Sequence, residues 1–374
     1  MTQAQLWESI RRHEGPLGEP SPALPVWARA EGATVWDADG HSYLDLSSGF
    51  GVAAVGHANP RVVGAVRDQA GLLLHGLGDL HPTDVRARLV GRLAGIAPQG
   101  LTRMLLHLTG AGAVELAIKT AVLATGRSEV VGFAGGYHGT SLGSLIPGGW
   151  PEFRDPFAAL LPAPEIVPYG EVPPLGESVA CVVVEPIQGR GGVVEPPHGF
   201  LRRLRYECDR WGALLVVDEV FTGLGRTGAM WACESDGVRP DLLVCGKALA
   251  GGLPLSAWAG RGPVAIDTHT HLGSPLACAA ALAVLDELEQ RDLPARAAEL
   301  GELVARELPG VRGRGLARGL PCDAVAVSRR LLERGVIAIP AGRQGEVLEL
   351  SPPLTIGEAE LRQGLQTVRE VAGL

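Results

Sequence analysis

Short apolar segments that alternate with helical patterns over residues 46–275 constrain the fold of this chain most strongly. The segments are bounded by glycines, and apolar residues at helical spacing lie between them. This alternation is typical of an α/β domain with a mostly parallel sheet, since parallel strands need helical crossovers that cover the sheet. The predicted buried strands are 104–108, 129–133, 180–184, 214–217 and 242–244.

The chain has 374 residues, more than one typical domain, and its pattern changes on both sides of this region. We expect an N-terminal arm at 1–45, which contributes to the small domain and holds a β-hairpin around an Asp39-Gly40 turn. A large domain would occupy 46–275 and a smaller α+β domain 276–374. The elements predicted in that last part are a long helix at about 276–307, a helix near 323–334, a strand pair within 336–350 and a closing helix from Glu358.

Composition excludes several classes of protein. The net charge of -8 and the absence of a basic tract argue against a nucleic-acid partner. The sequence contains no run of about 18 apolar residues, the length that a membrane-spanning helix needs, and the N-terminal residues lack the apolar stretch of a signal peptide. The six cysteines form no CxxC pair, so we expect reduced thiols in a cytoplasmic protein and no metal site.

Lysine is rare in this chain, since only two of its 33 basic residues are lysines, Lys119 and Lys247. An arginine can replace a lysine as a surface charge, but only a lysine amine can lose its proton and form a Schiff base. Lys247 directly follows a predicted buried strand and precedes two glycines. It is therefore the candidate for covalent chemistry, and the alternative is an ordinary loop lysine.

Several predicted strands end in residues suited to a binding site. The segment from Thr109 to Gly112 leads from a strand into a helix, so its backbone N–H groups could cradle a phosphate, although glycines at such turns often serve packing alone. Glu185, Asp218 and Glu219 end two other strands, where an acid can also be a simple cap. Because the carboxyl ends of parallel strands meet at one edge of a sheet, these groups and Lys247 indicate one site.

Residues 223–228 match the pattern GxGxxG and raise the alternative of an NAD-dependent oxidoreductase. The segment after it, 229–240, has no amphipathic helical pattern, and no acid closes a following strand at the distance that ribose binding requires. We therefore interpret 223–228 as a flexible turn beside the site.

Several short segments, taken in their order along the chain, resemble those of the class III pyridoxal phosphate (PLP) aminotransferases, and the resemblance covers about residues 26–371. The segments that carry the resemblance are Val35-Trp36-Asp37 to Asp45, Thr109-Gly110-Ala111, Gly136-Tyr137-His138-Gly139, Glu185-Pro186-Ile187-Gln188-Gly189, Asp218-Glu219-Val220 to Gly228, Gly246-Lys247, Thr270, Gly273-Ser274-Pro275 and Ser351-Pro352-Pro353-Leu354. The resemblance implies the fold of PLP-dependent transferases of fold type I and a ping-pong transfer from an amine or amino-acid donor to a keto or aldehyde acceptor. Racemases, aminomutases and a decarboxylase that share these motifs are the alternative.

The resemblance also implies roles for individual residues. Lys247 would form the Schiff base with PLP and then carry the proton between substrate and cofactor, while Asp218 would pair with the pyridinium nitrogen. The other residues expected at the cofactor are Gly110 and Ala111 at the phosphate, Tyr137 and Val220 on the two ring faces, His138 packed near the ring, Glu185, and Thr270 reaching the cofactor of a second subunit. Shared sites of this kind imply a homodimer.

The sequence departs from the family pattern at several positions. Phe221 stands where many members have a glutamine at the cofactor, and Gly112 where they usually have an acid. Glu349 replaces an arginine that pairs with the substrate carboxylate, so with Glu185 the pocket would hold two acids. We expect a substrate that carries an amine or several hydroxyls rather than a standard α-amino acid, with Arg343 or Arg190 as a substitute arginine.

Overall fold

The computed structural model describes residues 1–14, 24–262 and 268–374. Residues 15–23 of the predicted arm and 263–267 of the predicted large domain lie outside these ranges. The α-helices are α1 (Gln3–His13), α2 (Ser48–Gly51), α3 (Pro60–Leu72), α4 (Asp84–Ile96), α5 (Gly110–Thr125), α6 (Leu142–Leu145), α7 (Pro151–Arg154), α8 (Phe200–Trp211), α9 (Ala232–Ser235), α10 (Pro275–Gln290), α11 (Leu293–Glu307), α12 (Ala324–Glu333) and α13 (Glu358–Ala372).

The strands form three sheets. They are β1 (Trp27–Glu31), β2 (Thr34–Asp37), β3 (Ser42–Asp45), β4 (Arg103–His107), β5 (Glu129–Phe133), β6 (Glu165–Val167), β7 (Val179–Val184), β8 (Leu214–Asp218), β9 (Leu242–Cys245), β10 (Ser256–Gly260), β11 (Arg312–Arg314), β12 (Ala317–Pro321), β13 (Val336–Ile337), β14 (Ile339–Ala341) and β15 (Val347–Leu350). Two 3₁₀ turns, Asp155–Leu160 and Lys247–Ala250, complete the described elements.

The central sheet has seven strands in the order β4-β10-β9-β8-β7-β5-β6. All five strands predicted from the apolar segments are present in it, and β9, β8, β7, β5 and β6 are parallel. The sequence analysis missed β10, a small-residue strand that runs antiparallel to both β9 and β4. Because β10 reverses direction once, β4 runs the same way as the parallel strands. The ends of β4, β7, β8 and β9 therefore meet at one edge.

Helix α5 fixes the geometry at that edge. Its N-cap is Thr109, whose Oγ1 accepts a hydrogen bond from the Gly112 N–H at 3.1 Å. The helix packs against β7, β9 and β10, and Ala113, Val114 and Ala117 are fully buried in the contact. The start of α5 is thereby held directly after β4, beside the ends of β8 and β9.

The C-terminal part corrects two predictions. The single helix expected over 276–307 is two helices, α10 and α11, because Asp292 has φ of 43° and Pro294 in the next turn has no N–H to continue the ladder. The strand pair expected within 336–350 is three strands in two sheets. β14 joins β15 in the sheet β11-β12-β15-β14, while β13 pairs in parallel with β3.

The sheet β1-β2-β3-β13 contains the predicted hairpin, since β2 and β3 are antiparallel around the Asp39-Gly40 turn. Asp37 Oδ1 accepts hydrogen bonds from the N–H groups of Asp39 and His41, which closes the turn. Of the helices in the described ranges, none combines the length and apolar character needed to cross a bilayer.

Candidate active site

A cavity of about 300 Å³ opens at the carboxyl edge of the central sheet. Its lining joins the start of α5, the loop after β5, the ends of β7 and β8, and the turn after β9. The residues that line it are Gly110, Ala111, Tyr137, His138, Gly139, Thr140, Glu185, Arg190, Asp218, Val220, Phe221 and Lys247. The structure thus brings together most of the residues that the sequence analysis selected.

Lys247 begins the 3₁₀ turn after β9 and has φ of 21°, an uncommon backbone conformation for a residue with a side chain. Its side chain is half-buried, and Nζ lies 4.6 Å from the centre of the Phe221 ring. Burial lowers the pKa of Lys247, and the charges of Glu349, Glu185 and Asp218 offset this only in part. The amine is therefore easier to deprotonate than an exposed lysine.

Asp218 ends β8 and is bonded to a histidine. His138 Nδ1 lies 2.7 Å from Asp218 Oδ2, and Asp218 Oδ1 accepts from the Val220 N–H at 3.0 Å. Burial alone would lower the pKa of His138, but the hydrogen bond and charge of Asp218 outweigh it, so the pKa is raised. His138 therefore holds Asp218 in place. The sequence analysis had expected His138 only to pack near the cofactor ring. The carboxylate keeps lone pairs for one further donor.

Glu185, the residue after β7, holds two backbone segments. Its two carboxylate oxygens accept from the N–H groups of Tyr137 at 2.9 Å and Gly189 at 3.1 Å. Burial raises the pKa of Glu185 to about 7, and the charge of His138 works against this shift. This carboxyl group changes charge near neutral pH.

The first turn of α5 borders the cavity and has no room for a larger side chain at Gly112. A Cβ at Gly112 would lie 1.9 Å from Cε1 of the His107 ring, so the acid expected there from the family pattern is excluded by this neighbour. The first N–H groups of a helix have no intrahelical acceptor, and here those of Gly110 and Ala111 lie at the cavity wall. With the helix dipole they favour a phosphate.

Glu349 lies on β15 and is buried, and it accepts a hydrogen bond from Ser351 Oγ at 2.7 Å. Its charge acts on both Lys247 and Arg226, and the charge of Glu185 acts on both Lys247 and His138. The two acids that the sequence analysis placed in the pocket therefore both oppose the lowering of the Lys247 pKa, and each also has a second cationic neighbour.

Arg226 is the important residue that the sequence analysis missed. It belongs to the segment 223–228, interpreted as a flexible turn, yet it is only 2% exposed. Its guanidinium donates to the carbonyls of Leu316 and Pro352. Burial lowers its pKa to about 10, and Glu349 and Asp45 act in the opposite direction. A lone arginine among small residues was the only sequence signal. Within 229–240, all of which the structure describes, the longest helix is the four-residue α9, as the rejection of a dinucleotide site required.

Three other candidates fall in different places. Arg343 is 61% exposed, pairs with Glu152 at 2.6 Å and is not part of the cavity lining. Arg190 does line the cavity. Thr270 lines a second cavity of about 370 Å³ together with residues of the 75–80 segment, so one chain does not bring it to Lys247.

The comparisons with known proteins agree with this geometry. The family Aminotransferase class-III matches residues 19–371. The chain is 41% identical to an acetylornithine aminotransferase of Methanopyrus kandleri over 90% of this chain and 91% of the relative. It is 36% identical to a putrescine aminotransferase of Pectobacterium atrosepticum over 92% of this chain and 81% of the relative. An ornithine aminotransferase of Toxoplasma gondii has a similar structure, with a TM-score of 0.91 and 32% identity over 99% of this chain and 94% of that one.

The fold and site define a PLP-dependent enzyme of fold type I. Within that class, the chain belongs to the class III aminotransferases, and it catalyses PLP-dependent transfer of an amino group. The predicted fold class, cofactor and activity are confirmed, and nothing favours the racemase, aminomutase or decarboxylase alternative.

The residues present fit PLP. A buried carboxylate with a spare lone pair, a deprotonatable lysine and open N–H groups at a helix start all face one cavity. PLP supplies an aldehyde that condenses with primary amines and a ring that accepts electrons from the reacting carbon.

Proposed function

We propose that this chain transfers the terminal amino group of an unbranched amine or amino acid, and that Lys247 carries the proton. The observation that supports this most directly is the lowered pKa of Lys247, since a general base must be deprotonated near neutral pH. Gly110 and Ala111 would bind the cofactor phosphate, and Tyr137 and Val220 would contact its ring.

Asp218 would accept a hydrogen bond from the protonated ring nitrogen and so keep that nitrogen protonated. Its bond to His138 supports this role, because the imidazole holds the carboxylate in one orientation at the cavity wall. His138 is then a positioning residue that acts through Asp218.

The charges around Lys247 support a terminal-amine donor. In a standard α-amino acid the carboxylate sits on the reacting carbon, so it would approach Lys247 together with Glu349, Glu185 and Asp218, the acids that act on this lysine. A terminal amine brings no negative charge there. Ornithine and putrescine, named for two relatives, both carry such an amine. The acceptor would be a keto or aldehyde compound that takes the amino group in the second half of a ping-pong cycle.

A homodimer with shared sites is part of the proposal. The cavity that contains Thr270 is bordered by a segment with large exposed apolar side chains, among them Leu72 at 81%, Leu77 at 55% and Leu80 at 74%. Exposed apolar surface of this kind marks a protein interface. Thr268 Oγ1 donates to Asp79 Oδ2 at 2.8 Å and ties the two segments together. A second subunit here would let Thr270 reach the partner's cofactor.

We also propose a cytoplasmic location and the domain division 1–45, 46–275 and 276–374. All six cysteines are unpaired, and five of them are buried, which supports a reducing compartment. The seven-stranded sheet uses only residues 103–260, and the sheet β11-β12-β15-β14 only 312–350, which supports the division.

The visible absorption of the holoenzyme tests the donor class. Diamines, ω-amino acids, amino sugars and α-amino acids would be added one at a time without an acceptor. We expect terminal amines such as putrescine to remove the visible band of the bound cofactor, and alanine to leave it. A band that alanine removes as fast as putrescine would overturn the donor assignment.

A further inference from the structure

Arg190 is a charged residue of the cavity that the proposed chemistry does not use. It is exposed to solvent, and its guanidinium carbon lies 4.9 Å from the ring centre of Tyr137, 5.3 Å from Phe153 and 5.6 Å from Trp150. Arginine within about 6 Å of an aromatic face is held by cation–π attraction. We name Tyr137, Trp150 and Phe153 the aromatic cage.

The cage itself is fixed. Trp150 Nε1 donates to the Gly135 carbonyl at 3.0 Å, and the Tyr137 N–H donates to Glu185. The backbone of Arg190 is also held, since its carbonyl accepts from the Gly342 N–H at 2.9 Å. A Cβ at the preceding Gly189 would lie 2.6 Å from the Phe221 ring, so this segment packs closely on the cavity wall. Arg190 thus has a fixed backbone position, and its guanidinium lies against the aromatic cage.

The acids near this guanidinium have other partners. Glu152, next to Phe153 in the chain, pairs with Arg343 at 2.6 Å. Glu185 uses both oxygens for the N–H groups of Tyr137 and Gly189. Within residues 1–14, 24–262 and 268–374, no carboxylate oxygen lies within 4.0 Å of the Arg190 guanidinium nitrogens. An arginine that lines a binding cavity without an acid partner is available for an anion from the substrate.

We propose that Arg190 binds the carboxylate at the far end of a terminal-amine substrate, so that the enzyme prefers ω-amino acids and diamino acids to simple amines. This proposal rests on the proposed donor class and names its second recognition group. A guanidinium offers two parallel N–H donors to a carboxylate, and one positive charge matches one negative charge. The acids around Lys247 then attract the amine of the substrate, and Arg190 attracts its carboxylate. The substrate is therefore oriented with its amine toward Lys247 and its carboxylate toward the aromatic cage.

Matched donors and variants test the proposal in the holoenzyme. Ornithine is putrescine with one added carboxylate. 5-Aminovalerate has a carboxylate where pentylamine has its terminal methyl group. The rate of loss of the visible band would be measured for each pair in wild type, Arg190→Gln and Arg190→Lys. We expect the ratio of ornithine to putrescine rates to fall roughly 10- to 100-fold in Arg190→Gln, with partial recovery in Arg190→Lys, which keeps the charge without the planar fork.

Arg29→Gln is the matched control. Arg29 is also exposed and stacked on an aromatic ring, with its guanidinium carbon 3.7 Å from the centre of Trp36, but it lies on β1 outside the cavity. The ratio should not change in this variant. An unchanged ratio in Arg190→Gln would overturn the role of Arg190 and leave the donor class intact.

A binding measurement separates this proposal from the proposed function. Valerate has the carboxylate and no amine, so it cannot react, and its binding can be followed by the fluorescence of Trp150 and the other tryptophans. We expect its Kd to rise at least about 10-fold in Arg190→Gln. If wild type reacts with none of the four amines yet binds valerate through Arg190, the donor assignment fails and the carboxylate site stands. Equal valerate affinity in both proteins would overturn the site.

Discussion

Two groups of charged side chains act on Lys247, and they are built differently. The strand-end cluster, Glu185, Asp218 and His138, comes from the central sheet and the loop after β5. The C-terminal cluster, Glu349 and Arg226 with Ser351, joins β15 to a turn far away in the chain. In the first cluster the cationic partner is a histidine, a side chain that can both take up and release a proton. In the second it is an arginine, which keeps its charge.

This difference separates two tasks. A cluster with proton-labile groups can respond to a reaction that moves protons and charge, while a cluster with a fixed arginine holds a constant field beside Lys247. We therefore assign chemistry to the strand-end cluster and substrate selection to the C-terminal cluster.

The largest effect is expected for Lys247→Ala, which removes the group that both clusters act on. Amino transfer should fall at least roughly 10⁴-fold, because no other amine can take its place as nucleophile and base. The visible band of the bound cofactor should also change. Lys119→Ala is the control, since this other lysine is 45% exposed on α5 and should leave the rate unchanged. Activity within 10-fold of wild type in Lys247→Ala would refute the role.

Asp218→Asn tests the strand-end cluster. We expect transfer to fall roughly 10²- to 10⁴-fold. The pKa of His138 should also fall, because burial would no longer be outweighed by the neighbouring charge. NMR titration of the His138 ring measures this directly. Asp37→Asn, which breaks a similar contact to His41 at 3.0 Å in the hairpin, should leave the rate of the folded enzyme unchanged. A His138 pKa unaffected by Asp218→Asn would contradict the coupling.

Arg226→Gln tests the C-terminal cluster. Removing this buried guanidinium takes its donor away from the Leu316 and Pro352 carbonyls and its positive charge away from Glu349, so the free energy of unfolding should drop by roughly 2–4 kcal/mol in denaturant titrations. The double variant Arg226→Gln/Glu349→Gln should recover part of that loss, since it removes both charges. Arg343→Gln, at the exposed pair with Glu152, should change nothing measurable. A double variant no more stable than Arg226→Gln would show that the two charges do not compensate each other.

Glu185→Gln tests the pH response. The pKa of Glu185 is raised to about 7 in the folded protein, so the folded state holds this proton more tightly than the unfolded state. Ionisation therefore costs stability as pH rises from about 4.5 to about 7. We would measure the free energy of unfolding of the Glu185→Gln and wild-type apoenzymes at each pH and subtract the wild-type value from that of the variant. This difference should become more positive by roughly 2–3 kcal/mol between pH 4.5 and pH 8, because only wild type has a carboxyl group to ionise there. A difference that stays constant over this range would rule out the raised pKa.

The same comparison shows what the sequence could predict. The strand-end cluster follows from local pattern, because buried strands are visible as apolar segments and parallel strands share one edge. The C-terminal cluster depends on tertiary packing that no local pattern records, which is why Arg226 was read as part of a flexible turn. Strand β10 was missed because Ser256–Gly260 has small residues and only one large side chain, Trp258. Pro294 indicated the break between α10 and α11. The sequence analysis still predicted one helix because the residues around Pro294 are mostly strong helix formers.

The selection of the donor by the acids near Lys247 is tested most directly by comparing putrescine with alanine in the first half of the reaction, in wild type and in Glu349→Gln. The rate is the loss of the visible band without an acceptor. We predict that wild type strongly prefers putrescine and that the preference falls about 10-fold in Glu349→Gln, because a negative charge near Lys247 is removed. A wild type already as efficient with alanine, or a preference unchanged in Glu349→Gln, would contradict it.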